Sequence, residues 1–290
     1  MFLTFKNKMT KGKYLILAIT TLLMVSCGLQ DEKSIKNKAE KKVVEKKPQD
    51  MLREAYQLFK EGDDTESIHL ANKVLQIGRD SKNDTLIGNA LTSLCRNAQR
   101  SLDTIKLAEL SAELMDLAAS SGNQKWLMYR AHMNAEMWRL IGNMDRAEDF
   151  YNESMRISYE TGATGMYTID HFNKSFVSTA KGDFTTANTL IKKYYQLRKE
   201  ENNETEDAYG LIALAYLLEQ QENYEGAHEV AVVTRRLFKA QNIFPEPPDE
   251  KPLIAVELKV QEVLPPATLT AISENATSAS VSALLEKYLK

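Results

Sequence analysis

A chain of 290 residues, 43% hydrophobic and 27% charged, has the composition of a folded protein of one large domain or two small ones, which excludes wholesale disorder. Its net charge of −3 argues against nucleic acid as a partner, because phosphate backbones demand clustered lysine and arginine. With only two cysteines, Cys27 and Cys95, it cannot be a disulfide framework.

Lys6, Lys8, Lys11 and Lys13 precede an apolar run of twelve residues, Tyr14 to Val25. A bilayer span needs about 20, so residues 1–26 read as a signal peptide rather than a membrane helix. The run ends in LLMVSCG, and Ser26 directly before Cys27 resembles the lipobox of bacterial lipoproteins, with Met24 where Leu is commoner. The resemblance implies cleavage before Cys27, acyl chains such as palmitate on that residue, and a lipid anchor in the bacterial cell envelope. Gly28, in place of an aspartate that signals retention in the inner membrane, points to the outer one. The alternative is an ordinary secretory signal, or an uncleaved anchor, with an incidental cysteine. Losing the leader removes four lysines and takes the net charge from −3 to −7. Residues 27–50 follow as a charged tether; with seven lysines and five acids from 28 to 50 they bury too little to fold alone.

From residue 51 to 240 the chain repeats itself. Gly62-Asp63, Leu102-Asp103, Gly142-Asn143, Gly182-Asp183 and Glu222-Asn223 fall at forty-residue steps. Five residues past each corner stand Ser67, Leu107, Ala147, Ala187 and Ala227; seven before it stand Ala55, Cys95, Ala135, Ser175 and Ala215. Small side chains on both sides of a corner are what two antiparallel helices need in order to approach, and Gly or Asn at the corner accepts a left-handed backbone. Between corners the apolar residues keep helical spacing: Ala147, Phe150, Tyr151, Ser154, Met155 and Ile157 form a stripe, with Glu148, Asp149, Asn152 and Glu153 turned away. The pattern resembles the tetratricopeptide repeat (TPR), in the corner, the small residues around it and the aromatic of the second helix, seen as Phe150 and Tyr151 or Tyr194 and Tyr195. The usual period is about 34 residues, so forty implies longer helices or loops, as in bacterial peptide-sensing and cargo-adaptor variants. The resemblance implies an all-α, right-handed solenoid of about five helical hairpins.

Residues 241–290 complete the chain as a Pro-rich linker and a helical cap. FPEPPDEKP, with four prolines in nine residues, reads as a break in any helix. The segment 253–264 reads as a helix, which could begin a degenerate sixth repeat with Ala255 and Ala267 at the forty-residue positions; alternation of Ile254, Val256, Leu258 and Val260 leaves a strand open. Val281, Leu284, Leu285 and Tyr288 then share one face of a last helix that would cap the array.

No motif for chemistry emerges. His69, His132, His171 and His228 lack zinc-binding spacing, and no glycine-rich phosphate loop or GxSxG occurs, so the sequence calls for no enzyme, no cofactor and no metal. Cys95, in an apolar helical stretch, reads as a small core residue rather than a nucleophile. The resemblance does imply a concave groove lined by first helices, and its inward positions fall on Tyr56 and Phe59; Arg96, Gln99 and Arg100; Tyr129, His132, Glu136 and Arg139; Phe172 and Phe176; Tyr209 and Tyr216. Aromatics and arginines are the residues that anchor protein interfaces, although each could instead pack between hairpins. Phe176, one position past Ser175, is expected to carry an exposed ring into the groove. Arg96, Arg100 and Arg139 could together receive a carboxylate. The implied function is a membrane-anchored scaffold for a protein or peptide partner; the alternative is an envelope module that stacks a small molecule or glycan on the aromatics.

Overall fold

The computed structural model describes residues 46–201, 208–243 and 245–289. The signal peptide, Cys27 and nearly all of the tether lie outside the described residues. Those described form thirteen α-helices and one 3-10 turn, with no strand among them. Five hairpins come first: α1 (Pro48–Glu61) with α2 (Asp64–Asp80), α3 (Asp84–Arg100) with α4 (Thr104–Ser121), α5 (Gln124–Ile141) with α6 (Met144–Thr161), α7 (Thr164–Ala180) with α8 (Phe184–Glu200), and α9 (Ala208–Gln220) with α10 (Tyr224–Gln241). There follow α11 (Pro247–Val263), α12 (Pro266–Asn275), the 3-10 turn Ala276–Ser278 and α13 (Val281–Tyr288).

The corners show why the chain folds this way. Residues 62, 82, 102, 122, 142, 162, 182, 222 and 242 all have positive φ. In most cases an Asp or Asn follows, and its side chain caps the next helix: Asp63, Asn83, Asp103, Asn143, Asp183 and Asn223 each accept from the backbone N–H three residues on. The left-handed residue also lets the old helix close its last turn, as where the Asp63 N–H donates to the Leu58 carbonyl at 2.9 Å. One helix and one corner together take twenty residues, half the period seen by self-comparison, because comparison at forty sets hairpin on hairpin and passes over the corners between them.

All ten positions read from the repeat, nine of them small and the tenth Leu107, are completely buried, from Ala55 and Ser67 through Ala215 and Ala227. Each helix packs on its successor within and between hairpins, and α1, α3, α5, α7 and α9 also pack on one another in a row. The helices α2, α4, α6, α8 and α10 meet one another far less, so the odd-numbered row is the inner, concave side of an all-α solenoid. Close approach along that row has its own requirement at Gly88, where a Cβ would stand 2.3 Å from the Trp126 ring.

The C-terminal part departs from the sequence reading in two respects. The proline tract does not break a helix: Pro247 and Pro248 occupy the first turn of α11, where no N–H is needed, and Pro252 alone lies inside it. Nor is there a sixth repeat in register, since Ala255 and Ala267 are both exposed. Leu253, Val256 and Val260 are buried instead, at helical spacing, which removes the strand alternative. α11 lies against α9 and α10 and reaches α3 with its N-terminal end, whereas α12 packs on α10. As expected of a cap, α13 buries Val281 and Leu284 in the last core cluster.

Candidate functional site

The concave side holds a half-open cavity of about 990 Å³ whose lining comes from α1, α3, α5, the α6–α7 corner, α7, α8, α9 and the start of α11. Of the groove residues read from the sequence, Tyr56, Phe59, Arg96, Gln99, Tyr129, His132, Phe172 and Tyr209 line it. Arg100, Glu136, Arg139, Phe176 and Tyr216 are not part of the lining.

At one end Arg96 lies between two aromatic rings. Its guanidinium carbon is 5.3 Å from the Tyr56 centroid and 5.1 Å from that of Tyr129, and it donates to the Tyr129 hydroxyl at 2.9 Å. Lys125 adds a second cation, 5.9 Å from the Tyr129 centroid. Tyr56 is 47% exposed and its ring is open to the cavity.

The expectation that three arginines together receive a carboxylate is corrected by where Arg100 and Arg139 point. Arg100 lies 3.5 Å from the Phe59 centroid and donates to Asp64 at 3.0 Å and to Glu246 at 2.8 Å, so the chain's own acids satisfy it. Burial disfavours its charge, but Glu246 and Asp64 more than restore it, and its pKa lies above the ordinary value. Arg139 donates to Glu136 at 2.6 Å, and Glu136 is completely buried. Glu136 also accepts from Gln99 at 2.9 Å and from the Tyr151 hydroxyl. Burial alone would raise the Glu136 pKa; Arg139 and His132 hold it below the usual carboxylate range instead. Tyr151, itself buried, has its phenol pushed well above its ordinary value. This cluster is interior wiring between α3, α5 and α6, not a surface for a partner.

His132 bonds Asp170 through Nδ1 at 2.7 Å, and both side chains are buried. Burial works against its protonation, but the Asp170 carboxylate outweighs it and raises the imidazole pKa.

The aromatic stripe is also corrected. Phe176 is buried, its centroid 5.8 Å from Tyr216 and 5.1 Å from Phe172, with the Arg139 guanidinium 5.5 Å away. Phe172 is buried as well and packs against Tyr194 and Tyr209. The register of the repeat carries these rings inward, but rings from the neighbouring repeat cover them. Tyr216 is half-buried over Phe176, and Tyr209 retains an edge on the cavity.

Several lining residues escape sequence reading. Glu246 and Asp249 form one wall, brought there because the chain after α10 crosses the concave side on its way into α11. Burial pushes the Asp249 carboxyl up to about 7, partly offset by Arg139 and reinforced by Glu136 and Glu246. Local patterning has no signal for this contact, which joins residues 146 positions apart. Cys95 sits in the core, where burial pushes its thiol up to about 12. Among the described residues no cluster of three or more histidines, cysteines or acids is placed to hold a metal ion.

No protein-family model matches the sequence, and no curated protein matches it. Solved structures do. The apo form of RapI is similar with a TM-score of 0.53 at 13% identity, over 76% of this chain and 87% of RapI. BtubC from P. vanneervenii has a TM-score of 0.48 at 17% identity, over 80% of this chain and 90% of its own. TTC0263, a TPR protein of Thermus thermophilus, has a TM-score of 0.48 at 15% identity, over 75% of this chain and all of its own. The likeness is one of fold. Five helical hairpins at a forty-residue period, stacked with their first helices around one concave side, make this chain a TPR-like repeat protein.

Proposed function

We propose that the protein is a recognition scaffold, tethered to the bacterial envelope by lipid on Cys27, whose concave cavity takes a peptide segment of a partner protein. Its mechanism is binding, with no bond made or broken. The observation that carries this reading is that the concave side already holds a stretch of polypeptide: the chain's own segment at 245–250 crosses it, with Glu246 seated on Arg100 at 2.8 Å. Half-exposed tyrosines and a stacked arginine beside that segment are the side chains that supply binding energy at interfaces. The leader supports the envelope half of the reading through the order of its lysines, apolar run and Ser26-Cys27. A second reading, a small molecule or glycan stacked on Tyr56, Tyr129 and Tyr209, draws on a cavity volume at the upper end of the range for such ligands.

Photo-crosslinking in living cells tests the proposal. A photoreactive residue in place of Tyr129 should trap a protein partner, whereas one in place of Ile105, 76% exposed on α4, should not. Equal yields from both positions would move the binding surface off the concave side, and no protein adduct from Tyr129 would favour the small ligand. Cys27→Ser should release the protein from washed membranes; a variant that stays bound would refute the lipid anchor.

A further inference from the structure

On the convex side a second half-open cavity, of about 390 Å³, lies between α4 and α6 with α5 as its floor. The forty-residue register shows how it arises. Ala108 and Ala112 of α4 stand where α6 has Glu148 and Asn152, and Asn134 of α5 stands where α7 has Lys174. In that next furrow Lys174 reaches out to Asn152 at 2.7 Å and to Glu148 at 3.6 Å, so side chains take up the space. Between α4 and α6 the same positions are short, and the space stays open. Its walls are apolar at Ala112, Met115, Trp138 and Phe150. Its charges cancel without being spent on one another. Arg130, buried on the floor, is paired with Glu153. Arg146 lies 4.5 Å from the Trp138 centroid, with no carboxylate within ion-pair distance among the described residues, and Asp149, one turn on, accepts no side-chain hydrogen bond from them. Asn134 donates to Ser111 at 2.7 Å and to the Arg130 carbonyl at 3.0 Å, which leaves its Oδ1 to accept.

We propose that this convex cavity binds a neutral, hydroxyl-rich ligand: a sugar unit, free or at the end of a glycan chain. The inference stands apart from the concave cavity and does not depend on what that cavity takes. A sugar ring presents apolar C–H faces inside a rim of hydroxyls that both donate and accept. The C–H faces lie on Ala112, Met115 and Phe150, while hydroxyls accept from Arg146 and donate to Asp149 and to the Asn134 Oδ1. An anionic ligand is opposed by Asp149 and a cationic one by Arg130 and Arg146, whereas a neutral one meets a site whose formal charges sum to zero. A purely apolar ligand would strip water from Arg146 and Asp149 and return no hydrogen bond. The volume is at the lower end of the range for ligand pockets, which suits a mono- or disaccharide. Asn134 is already held by Ser111, and Arg130 by Glu153, so the floor loses little freedom on binding.

The test screens the full chain in detergent by saturation-transfer-difference NMR against neutral hexoses, N-acetylhexosamines and their disaccharides, with glucuronic acid and glucosamine as charged counterparts; sugars that bind are then titrated. At least one neutral sugar should bind, and more tightly than either charged one. Ala112→Phe fills the cavity from an exposed position, so it should abolish binding with the melting temperature unchanged. Asp149→Ala removes one acceptor and leaves the cavity open; it should weaken binding about tenfold, as loss of a hydrogen bond to a charged group does. Ala119→Phe, on the same helix but outside the cavity, should bind as the native chain does. Oligosaccharides of the bound sugar separate the two sources: equal or tighter binding of the chain assigns a glycan end, weaker binding the free sugar. Binding that survives Ala112→Phe would put the sugar elsewhere, and preference for a charged sugar, or no binding by any of them, would remove the site. Each of these overturns the inference and leaves the concave reading as it stands.

Discussion

The buried His132–Asp170 pair offers the sharpest test of how the inner row of helices is held together. The pair joins α5 to α7 at 2.7 Å; Asp170 is completely buried and its second oxygen, Oδ2, has no partner. His132→Leu would leave that carboxylate without its counterion, and removing one partner of a buried pair costs about 3–5 kcal/mol. Asp170→Leu leaves only an imidazole that can stay neutral, at about 1–3 kcal/mol for a lost buried acceptor. The double substitution removes both groups and fills the space with apolar atoms, so it should cost about 2 kcal/mol or less, well below the sum of the singles. Urea unfolding of the four proteins at pH 6, followed by circular dichroism, measures the cycle. The pH dependence supplies a second check. Because the folded imidazole pKa is raised above 6.5, the pair's contribution is fully present below that pH and fades as pH rises through the folded value. The native chain should lose stability over that window relative to the double-leucine variant. If His132→Leu costs under about 1 kcal/mol, or the two single costs simply add, the pair is not the strut described here.

Gly88→Ala sets a methyl 2.3 Å from the Trp126 ring and should cost about 1–3 kcal/mol, visible as a lower melting temperature; an unchanged value would mean that α3 and α5 are less closely apposed. Leu102, 39% exposed with φ of 58°, holds a conformation that costs a β-carbon about 1–2 kcal/mol, so Leu102→Gly should stabilise by about 0.5–1 kcal/mol once the looser unfolded chain is counted. A loss of stability there would contradict the left-handed corner. The Asp249 carboxyl, raised to about 7, binds its proton in the folded state where the unfolded chain has released it, so its ionisation erodes stability between about pH 4 and 7. At about 1.4 kcal/mol per pKa unit the rise from 3.8 to about 7 is worth about 4 kcal/mol, so Asp249→Asn should gain about that much on the native chain between pH 4 and pH 8; a constant difference would place that carboxyl in water.

Sequence patterning reaches the hairpins because their signals are local. A small residue at 147 or 187, a cap at 143 or 183 and a glycine before it act within one turn of the chain, and all are seen in the fold. The corners at Lys82, Leu102 and Glu222 are harder to read, since the residue in the left-handed conformation is not one that favours it; the Asn or Asp that follows each carries the message. The proline tract misleads because proline's cost depends on position: it is severe inside a helix and absent in the first turn, and only the location of the N-terminus of α11 distinguishes the two. In the site, helical phase tells which residues face inward, but whether an inward ring is open or covered depends on a different repeat. Tyr56 stays half-open at the start of the array, while Phe172 and Phe176 lie under Tyr209 and Tyr216. The charges follow the same rule. Among the described residues Arg96 has no acid within ion-pair distance while Arg100 has two, one of them, Glu246, far along the chain.

The pairing of Arg100 with Glu246 has a consequence for how such a gene can lengthen. Open helical arrays gain or lose copies by duplication at small cost, since each copy touches only its neighbours. Here the start of α11 is fastened back onto the second hairpin. An extra forty residues inserted after α4 would move Glu246 one hairpin farther from its arginine and pull the acidic wall out of the cavity. Duplication within that span is thus penalised in a way that duplication ahead of α3 is not, and copy number among descendants should vary at the N-terminal end of the array.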